Sequence, residues 1–229
     1  MKKKINMFVG RLQPITQGHI DCINEGNAPC IIYIIEDKPI VTTKNGIKIG
    51  SNSYSKAIIE KVVAYIDNPV GELENKENEL LKRPFTNELI IKEIKSIKDK
   101  NILDVVVVSN VFDALDRFNK FIFDHNEYEP QYWMCGDDRV NEYSELIDKY
   151  DTLEIYKGSG ETIKNLLKDI LKTNIGDGRC QGVSGTMARK ALLSKDKEAF
   201  NKVVPDGAES MFDEFIEALE KFKRQLVSL

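Results

Sequence analysis

Gly10-Arg11-Leu12-Gln13-Pro14-Ile15-Thr16-Gln17-Gly18-His19 lies between an apolar run, residues 5–9, and a segment of helical pattern, residues 20–27. The apolar run predicts a buried first strand, and the segment after the loop predicts a helix. A glycine-bearing loop between a strand and a helix N-terminus favours anion binding, because backbone N–H groups and the helix dipole both point at the ligand. The stretch therefore predicts an anion site beside the first strand.

Further apolar runs alternate with helical patterns along the chain. Continuous apolar runs at residues 30–36 and 102–109 are typical of strands buried on both faces. Such an alternation predicts a parallel, doubly wound, Rossmann-like α/β sheet. Two further strands are predicted at residues 131–135 and 152–156. The predicted later helices lie at residues 55–66, 87–98, 112–123, 142–150, 162–172, 186–193, 195–202 and 208–227.

Residues 37–83 carry no strand pattern that the sheet needs, and they predict an insertion after the second strand. Thr86 is the predicted N-cap of the helix that follows this insertion. We therefore expect one α/β domain over residues 1–195, with a C-terminal helical tail over residues 196–229 packed on it.

Composition limits the possible classes of protein. The 229 residues suffice for one well-buried core, and the net charge of −4 argues against a general nucleic-acid binder. No apolar stretch is long enough to span a bilayer, and the run after the N-terminal lysines is too short for a signal peptide. The spacing of Cys22, Cys30, Cys135 and Cys180 does not predict a zinc site. Reduced thiols and a cytoplasmic location are expected.

A second motif, Ser184-Gly185-Thr186-Met187-Ala188-Arg189, lies in the last quarter of the chain. Ser184 and Thr186 stand at a predicted helix N-terminus, where hydroxyl and N–H groups bind phosphate. Arg189 follows Thr186 by three residues and shares its side of the helix. Alone, this pattern is more typical of a capped helix with a solvated arginine. Together with the first motif, it predicts a nucleoside triphosphate site built from both ends of one domain.

The two motifs, in this order, resemble the (H/T)-x-G-H and S-x-T-x-x-R signatures of the nucleotidylyltransferase superfamily. The resemblance is greatest to archaeal-type nicotinamide mononucleotide adenylyltransferases and to related phage-encoded nucleotidylyltransferases. It implies transfer of AMP from ATP to the phosphate of nicotinamide mononucleotide, with release of pyrophosphate and synthesis of NAD. It also implies that Mg²⁺ binds mainly through the ATP phosphates and that the protein supplies no metal ligands of its own.

The resemblance assigns catalytic work to His19, Arg11, Thr16 and Arg189. His19 is expected to contact the phosphates and to stabilise charge as pyrophosphate leaves. The planar fork of Arg11 suits phosphate oxygens, and the Thr16 hydroxyl donates to phosphate. Gln13 and Pro14 are expected to shape the loop. The predicted nucleotide-binding residues are Gly10, Arg11, Thr16, Gly18, His19, Gly136, Asp137, Arg139, Ser184, Gly185, Thr186 and Arg189.

Gly136-Asp137-Asp138-Arg139 follows a predicted strand, at the sheet edge where open α/β proteins bind ligands. Phage-type relatives carry a similar Gly-x-Asp-Arg. Gly136 and Asp137 are therefore expected near the adenine or ribose, and Arg139 near phosphate. A strand-to-helix turn with an aspartate N-cap is an equally good interpretation. Neither aspartate is assigned as a metal ligand.

Phe112 and Trp133 are candidates to stack on nicotinamide or another base. Phe112 lies near the place of the aromatic residue that archaeal-type enzymes use, but the family's tryptophan is absent there. Trp133 lies within a strand and is more typical of a core residue. ATP and a phosphorylated small molecule are the expected partners, without nucleic acid or membrane, and a homo-oligomer is possible. The alternatives are cytidylyl or adenylyl transfer to another phosphorylated small molecule, and a non-catalytic nucleotide sensor.

Overall fold

The first predicted motif begins at the end of the first strand of a four-stranded parallel sheet. The computed structural model describes residues 1–99, 101–136, 139, 141–146 and 183–228. The strands are β1 (Lys3–Gly10), β2 (Cys30–Ile35), β3 (Ile40–Thr43), β4 (Gly46–Ile49), β5 (Asn52–Ser55), β6 (Ile102–Val108) and β7 (Tyr128–Met134). The helices are α1 (Gln17–Glu25), α2 (Lys56–Asp67), α3 (Asn75–Leu81), α4 (Asn87–Ser96), α5 (Val111–Asp124), α6 (Gly185–Leu193), α7 (Lys197–Asn201) and α8 (Phe212–Val227). Residues 141–146 are also helical.

Several predicted elements lie outside the described residues. These are the strand at residues 152–156, the helix at residues 162–172 and the end of the helix predicted at residues 142–150. By its contacts the chain divides into two compact units. The first contains Met1–Arg11, Gly18–Glu36 and Asp99–Gly182, and the second contains Leu12–Gln17, Asp37–Lys98 and Val183–Leu229. These limits do not coincide with the predicted division after residue 195, which stays a prediction.

The sheet of the first unit has the strand order β6-β2-β1-β7, with every neighbouring pair parallel. Because β2 and β6 lie on one side of β1 and β7 lies on the other, the winding reverses at β1. The prediction of a Rossmann-like, doubly wound α/β fold is confirmed. Helix α5 packs against one face, where Tyr33 and Phe118 meet edge to face at 6.5 Å between ring centroids.

Helix α1 lies on the opposite face of the sheet. The ring of His19, in its first turn, is 5.9 Å from the ring of Phe8 on β1. At the other end of α1, a Cβ on Gly26 would come within 2.1 Å of Nδ2 of Asn6. The side chain of Asn6 is wholly buried, and its Oδ1 accepts a hydrogen bond from the N–H of Tyr132 at 3.1 Å. A side chain thus supplements the β1–β7 ladder where its register shifts.

The insertion belongs to the second unit and contains strands that the sequence did not predict. β3, β4 and β5 form a separate antiparallel sheet, outside the parallel one. Each has four residues, too few for a clear alternation of buried and exposed side chains. Helix α3 was also missed, because its residues appear in the sequence as a polar run.

Hydroxyl side chains cap two of the helices, and one of these caps, Thr86, is the one that the sequence predicts. Ser55 caps α2, and the Thr86 hydroxyl caps α4 by accepting from the N–H of Leu89 at 3.4 Å. The helix predicted at residues 208–227 begins instead with a 3-10 turn, Ala208–Met211, and continues as α8. None of the described helices is long and apolar enough to cross a membrane.

Candidate functional site

The carboxyl ends of β1 and β7 lie side by side in the first unit, where the strand order reverses. Phe8 pairs with Met134, so Gly10 and Gly136 each stand two residues beyond the same pair. In open α/β sheets, ligands bind in the crevice outside the carboxyl ends at this switch point. Two predicted ligand-binding glycines therefore lie at the edge of the sheet that this rule selects.

His19 stands in the first turn of α1 and is half-buried. Burial lowers its pKa from 6.5 to about 4, because the charged imidazolium loses hydration. The ring is therefore neutral at neutral pH, with one nitrogen that donates and one that accepts. Gly18 beside it is buried, whereas Arg11, directly after β1, is exposed.

Gly136 and Arg139 follow β7 and are joined by a main-chain hydrogen bond. The main-chain N–H of Arg139 donates to the carbonyl of Gly136 at 2.8 Å. The exposed side chain of Arg139 forms an ion pair with Glu142. Asp137 lies outside the described residues, so its predicted role as a ligand contact or N-cap stays a prediction.

The two aromatic candidates belong to the hydrophobic core under α5. Trp133 is only 3% exposed and stacks on Tyr143 at 4.3 Å between ring centroids. The Tyr143 hydroxyl donates to the carbonyl of Val9 at 3.2 Å, near the end of β1. Phe112 is half-buried against the same core. The core interpretation of Trp133 fits this burial, while stacking on a substrate stays a prediction for both residues.

The middle of the first motif, residues 12–17, is held within the second unit by two reciprocal hydrogen bonds. Nε2 of Gln13 donates to the carbonyl of Phe85 at 2.7 Å, and the N–H of Phe85 donates to Oε1 of Gln13 at 3.1 Å. The main-chain N–H of Ile15 donates to the carboxylate of Glu93 at 3.0 Å. The prediction that Gln13 shapes the loop fits this arrangement.

Glu93 and Phe85 are parts of the site that the sequence analysis missed. Both side chains are buried, and Glu93 is surrounded closely enough for burial to raise its pKa well above 4.5. Glu93 stands on the face of α4 that also buries Ile90 and Ile94. A glutamate among buried isoleucines is the one sequence signal that could have drawn attention to it.

The second motif forms the beginning of α6, as predicted. Ser184 is the N-cap, and its hydroxyl accepts a hydrogen bond from the N–H of Met187 at 3.4 Å. Nη2 of Arg189 donates to the Thr186 hydroxyl at 3.1 Å. Nη1 of the same guanidinium donates to the main-chain carbonyl of Gln13. The alternative of a solvated arginine is therefore wrong for this helix.

Gly185 permits the contact between the two motifs. A Cβ at this position would lie 3.3 Å from the Gln13 carbonyl oxygen and 3.2 Å from Nη1 of Arg189. Burial lowers the pKa of Arg189 to about 10, which still leaves the guanidinium charged at neutral pH. The side chain of Thr16, in the first motif, is buried, with 1% of its surface exposed.

No protein-family model matches the chain, and no curated protein is significantly similar to it. Within the described part of the chain, no group of three His, Cys, Asp or Glu side chains is placed to hold a metal ion.

Proposed function

We propose that this protein is a nucleotidylyltransferase that transfers AMP from ATP to the phosphate of nicotinamide mononucleotide. The observation that carries the proposal is the hydrogen bond from Arg189 to the Gln13 carbonyl, which joins two motifs 176 residues apart. A charged guanidinium held against the loop of the first motif offers further N–H groups to phosphate oxygens. The switch-point position of Gly10 and Gly136 is independent support.

In the proposed reaction, an oxygen of the acceptor phosphate attacks the α-phosphorus of ATP in line. The new P–O bond forms as the bond to the bridging oxygen breaks, and that oxygen leaves with pyrophosphate. No enzyme nucleophile takes part, so the protein contributes positioning and stabilisation of charge. Mg²⁺ would enter with the ATP phosphates and neutralise charge on the departing pyrophosphate, and no side chain of this protein is assigned to it.

His19 is proposed to donate a hydrogen bond to a phosphate oxygen. The neutral imidazole of the unliganded protein carries one N–H that can donate this bond, and the approach of a polyphosphate anion favours the protonated ring. Arg11 and Arg189 supply planar forks that match phosphate oxygens. The hydroxyl of Thr16 would have to become accessible for its proposed contact, because it is buried in this structure.

The experiment that tests this function is pyrophosphate release with Mg²⁺. ATP and CTP are each combined with nicotinamide mononucleotide, nicotinate mononucleotide, and sugar or alcohol phosphates. Turnover with ATP and nicotinamide mononucleotide is expected. Turnover with another pair alone would support nucleotidylyl transfer, but to or from a different substrate. Nucleotide binding without pyrophosphate release from any pair would instead support a sensor.

His19→Ala is the decisive variant, because loss of a preorganised charge-stabilising donor typically costs about 10²–10³ in rate. His125→Ala is the matched control, since His125 is exposed at the end of α5. A His19→Ala protein that stays folded and turns over at a near-normal rate would refute the assignment.

A further inference from the structure

A cavity of about 370 Å³ lies beside the second motif, within the second unit. One wall is α6, through Thr186, Arg189 and Lys190. The other wall is α3 of the insertion, with the residue that follows it. Its volume is within the range of about 300–1,000 Å³ that is usual for small-molecule sites. The insertion therefore forms one side of a cavity whose other side carries the predicted phosphate-binding helix.

Both walls are single helix faces. Asn75, Asn78, Glu79 and Lys82 follow the spacing i, i+3, i+4 and i+7, which places them along one side of α3. On the other side of α3, Glu77 and Leu80 are buried, whereas Lys76 is exposed. The polar side chains of the remaining side of α3 line the cavity, together with Leu81.

The opposite wall has the same periodicity. Thr186, Arg189, Lys190 and Leu193 also follow i, i+3, i+4 and i+7 along α6. The cavity is therefore lined along both sides by consecutive helical turns, and the Ser184-capped N-terminus of α6 lies at one end of its own wall. A helix N-terminus adds a partial positive charge to that end.

The charges that line the cavity favour an anion. Among the described residues that line it, Arg189, Lys190 and Lys82 are cationic and Glu79 alone is acidic. Glu79 is paired with Lys82 at 2.9 Å. Within the described ranges, neither Arg189 nor Lys190 has a carboxylate partner, and Arg189 donates only to a carbonyl and a hydroxyl. Three cations against one carboxylate give these lining residues a net charge of +2, which a ligand phosphate can neutralise.

We propose that this cavity binds a phosphate group of a substrate, with Lys190 of α6 and Lys82 of α3 as its charged contacts. Asn75 and Asn78 of the opposite wall offer amides to phosphate or sugar oxygens. Nδ2 of Asn78 already donates to the Leu73 carbonyl, so its Oδ1 is the atom that would accept from a sugar hydroxyl. The proposal rests on the proposed function and gives the insertion a part in substrate binding. The phosphate belongs either to the triphosphate of ATP or to the acceptor.

Equilibrium binding to the full chain tests this site. Mg-ATP alone and nicotinamide mononucleotide alone are titrated into the unaltered protein and into Lys82→Ala, Lys190→Ala and Lys76→Ala. Lys76 is the matched control, because it lies on α3, is exposed and does not line the cavity. Thermal unfolding of each variant verifies that it remains folded.

We expect Lys82→Ala and Lys190→Ala to raise the Kd of one of the two ligands by about tenfold, as loss of a charge-assisted contact does. The ligand that responds identifies the source of the phosphate. Kd values unchanged for both ligands would overturn the proposal, and so would an equal loss in Lys76→Ala. The pyrophosphate assay separates the two proposals. If the unaltered protein turns over ATP but substitution of Lys82 or Lys190 leaves ligand binding unchanged, only the proposed phosphate site is refuted. If binding depends on Lys82 and Lys190 but no substrate pair is turned over, only the proposed enzymatic function is refuted.

Discussion

The buried carboxylate of Glu93 accepts a hydrogen bond from the main-chain N–H of Ile15 at 3.0 Å. Ile15 belongs to the loop of the first motif. Glu93 belongs to α4 and lies 78 residues further along the chain than Ile15. The second oxygen of this carboxylate, Oε1, has no hydrogen-bond partner among the described residues. A carboxyl group held this way has a raised pKa, because burial opposes its ionisation more than one N–H favours it.

Glu93→Gln is expected to stabilise the protein progressively as the pH rises. The folded state keeps a proton on Glu93 at pH values where the unfolded chain, with its ordinary pKa of 4.5, has released it. The stability that depends on this proton is complete below pH 4.5 and is lost as the pH rises towards the folded-state pKa. We therefore expect the free energy of unfolding of Glu93→Gln to exceed that of unaltered protein by more at about pH 8 than at about pH 5, as measured by urea unfolding.

Glu88→Gln is the control for that experiment, since it makes the same change at an exposed position of α4. Equal pH dependence in unaltered protein and Glu93→Gln would contradict the prediction. Glu93→Ala should instead cost about 1–3 kcal/mol, because the buried Ile15 N–H would lose its acceptor.

His19 should destabilise the folded protein in acid. Its folded-state pKa of about 4 lies below its ordinary 6.5, so the unfolded chain takes up a proton that the folded chain does not. The loss begins as the pH falls through 6.5, is complete near pH 4, and amounts to at most about 3 kcal/mol. His19→Gln should lose less stability than unaltered protein between about pH 7.5 and about pH 4.5, as measured by urea unfolding. His125→Gln provides the comparison, and a parallel loss in unaltered protein and His19→Gln would show that His19 is not the source.

Arg189→Lys should weaken Mg-ATP binding by about ten- to a hundredfold in Kd, although it keeps the positive charge. A lysine cannot donate to the Gln13 carbonyl and the Thr186 hydroxyl with the planar fork that Arg189 uses. Isothermal titration measures the change. Arg224→Lys, at an exposed position near the end of α8, should bind as unaltered protein does. Equal affinities in all three proteins would mean that Arg189 does not contact the nucleotide.

Gly207 and Gly71 allow the destabilisation caused by a steric clash to be compared with that caused by backbone strain alone. Both have left-handed backbone angles, with φ of 98° and 90°. A Cβ on Gly207 would lie 2.1 Å from the Ser96 carbonyl oxygen, whereas a Cβ on Gly71 would have nothing within 4 Å. Gly71→Ala should therefore cost only the backbone strain, about 1–2 kcal/mol. Gly207→Ala should cost more in the same denaturant experiment, and equal losses would contradict the steric argument.

Local chemistry in the sequence determined most of the helix and strand positions. The apolar run at β2 has five fully buried residues, as expected for a strand covered on both faces. Thr86 and Ser184 mark helix starts, because a hydroxyl at an N-cap accepts a hydrogen bond from an N–H within the first turn. The alternation of these elements was enough to predict the doubly wound sheet. Such signals depend on residues within a few positions of one another.

Only the tertiary structure decided what surrounds the first motif. Gln13 bonds to Phe85, Ile15 bonds to Glu93, and the Gln13 carbonyl receives Arg189, across separations of 72, 78 and 176 residues. No local pattern contains those partners. The pKa values of His19 and Glu93 also follow from burial, which depends on the packing of distant segments. The sequence determined which side chains could bind phosphate, and folding decided the contacts and protonation states in which they are held.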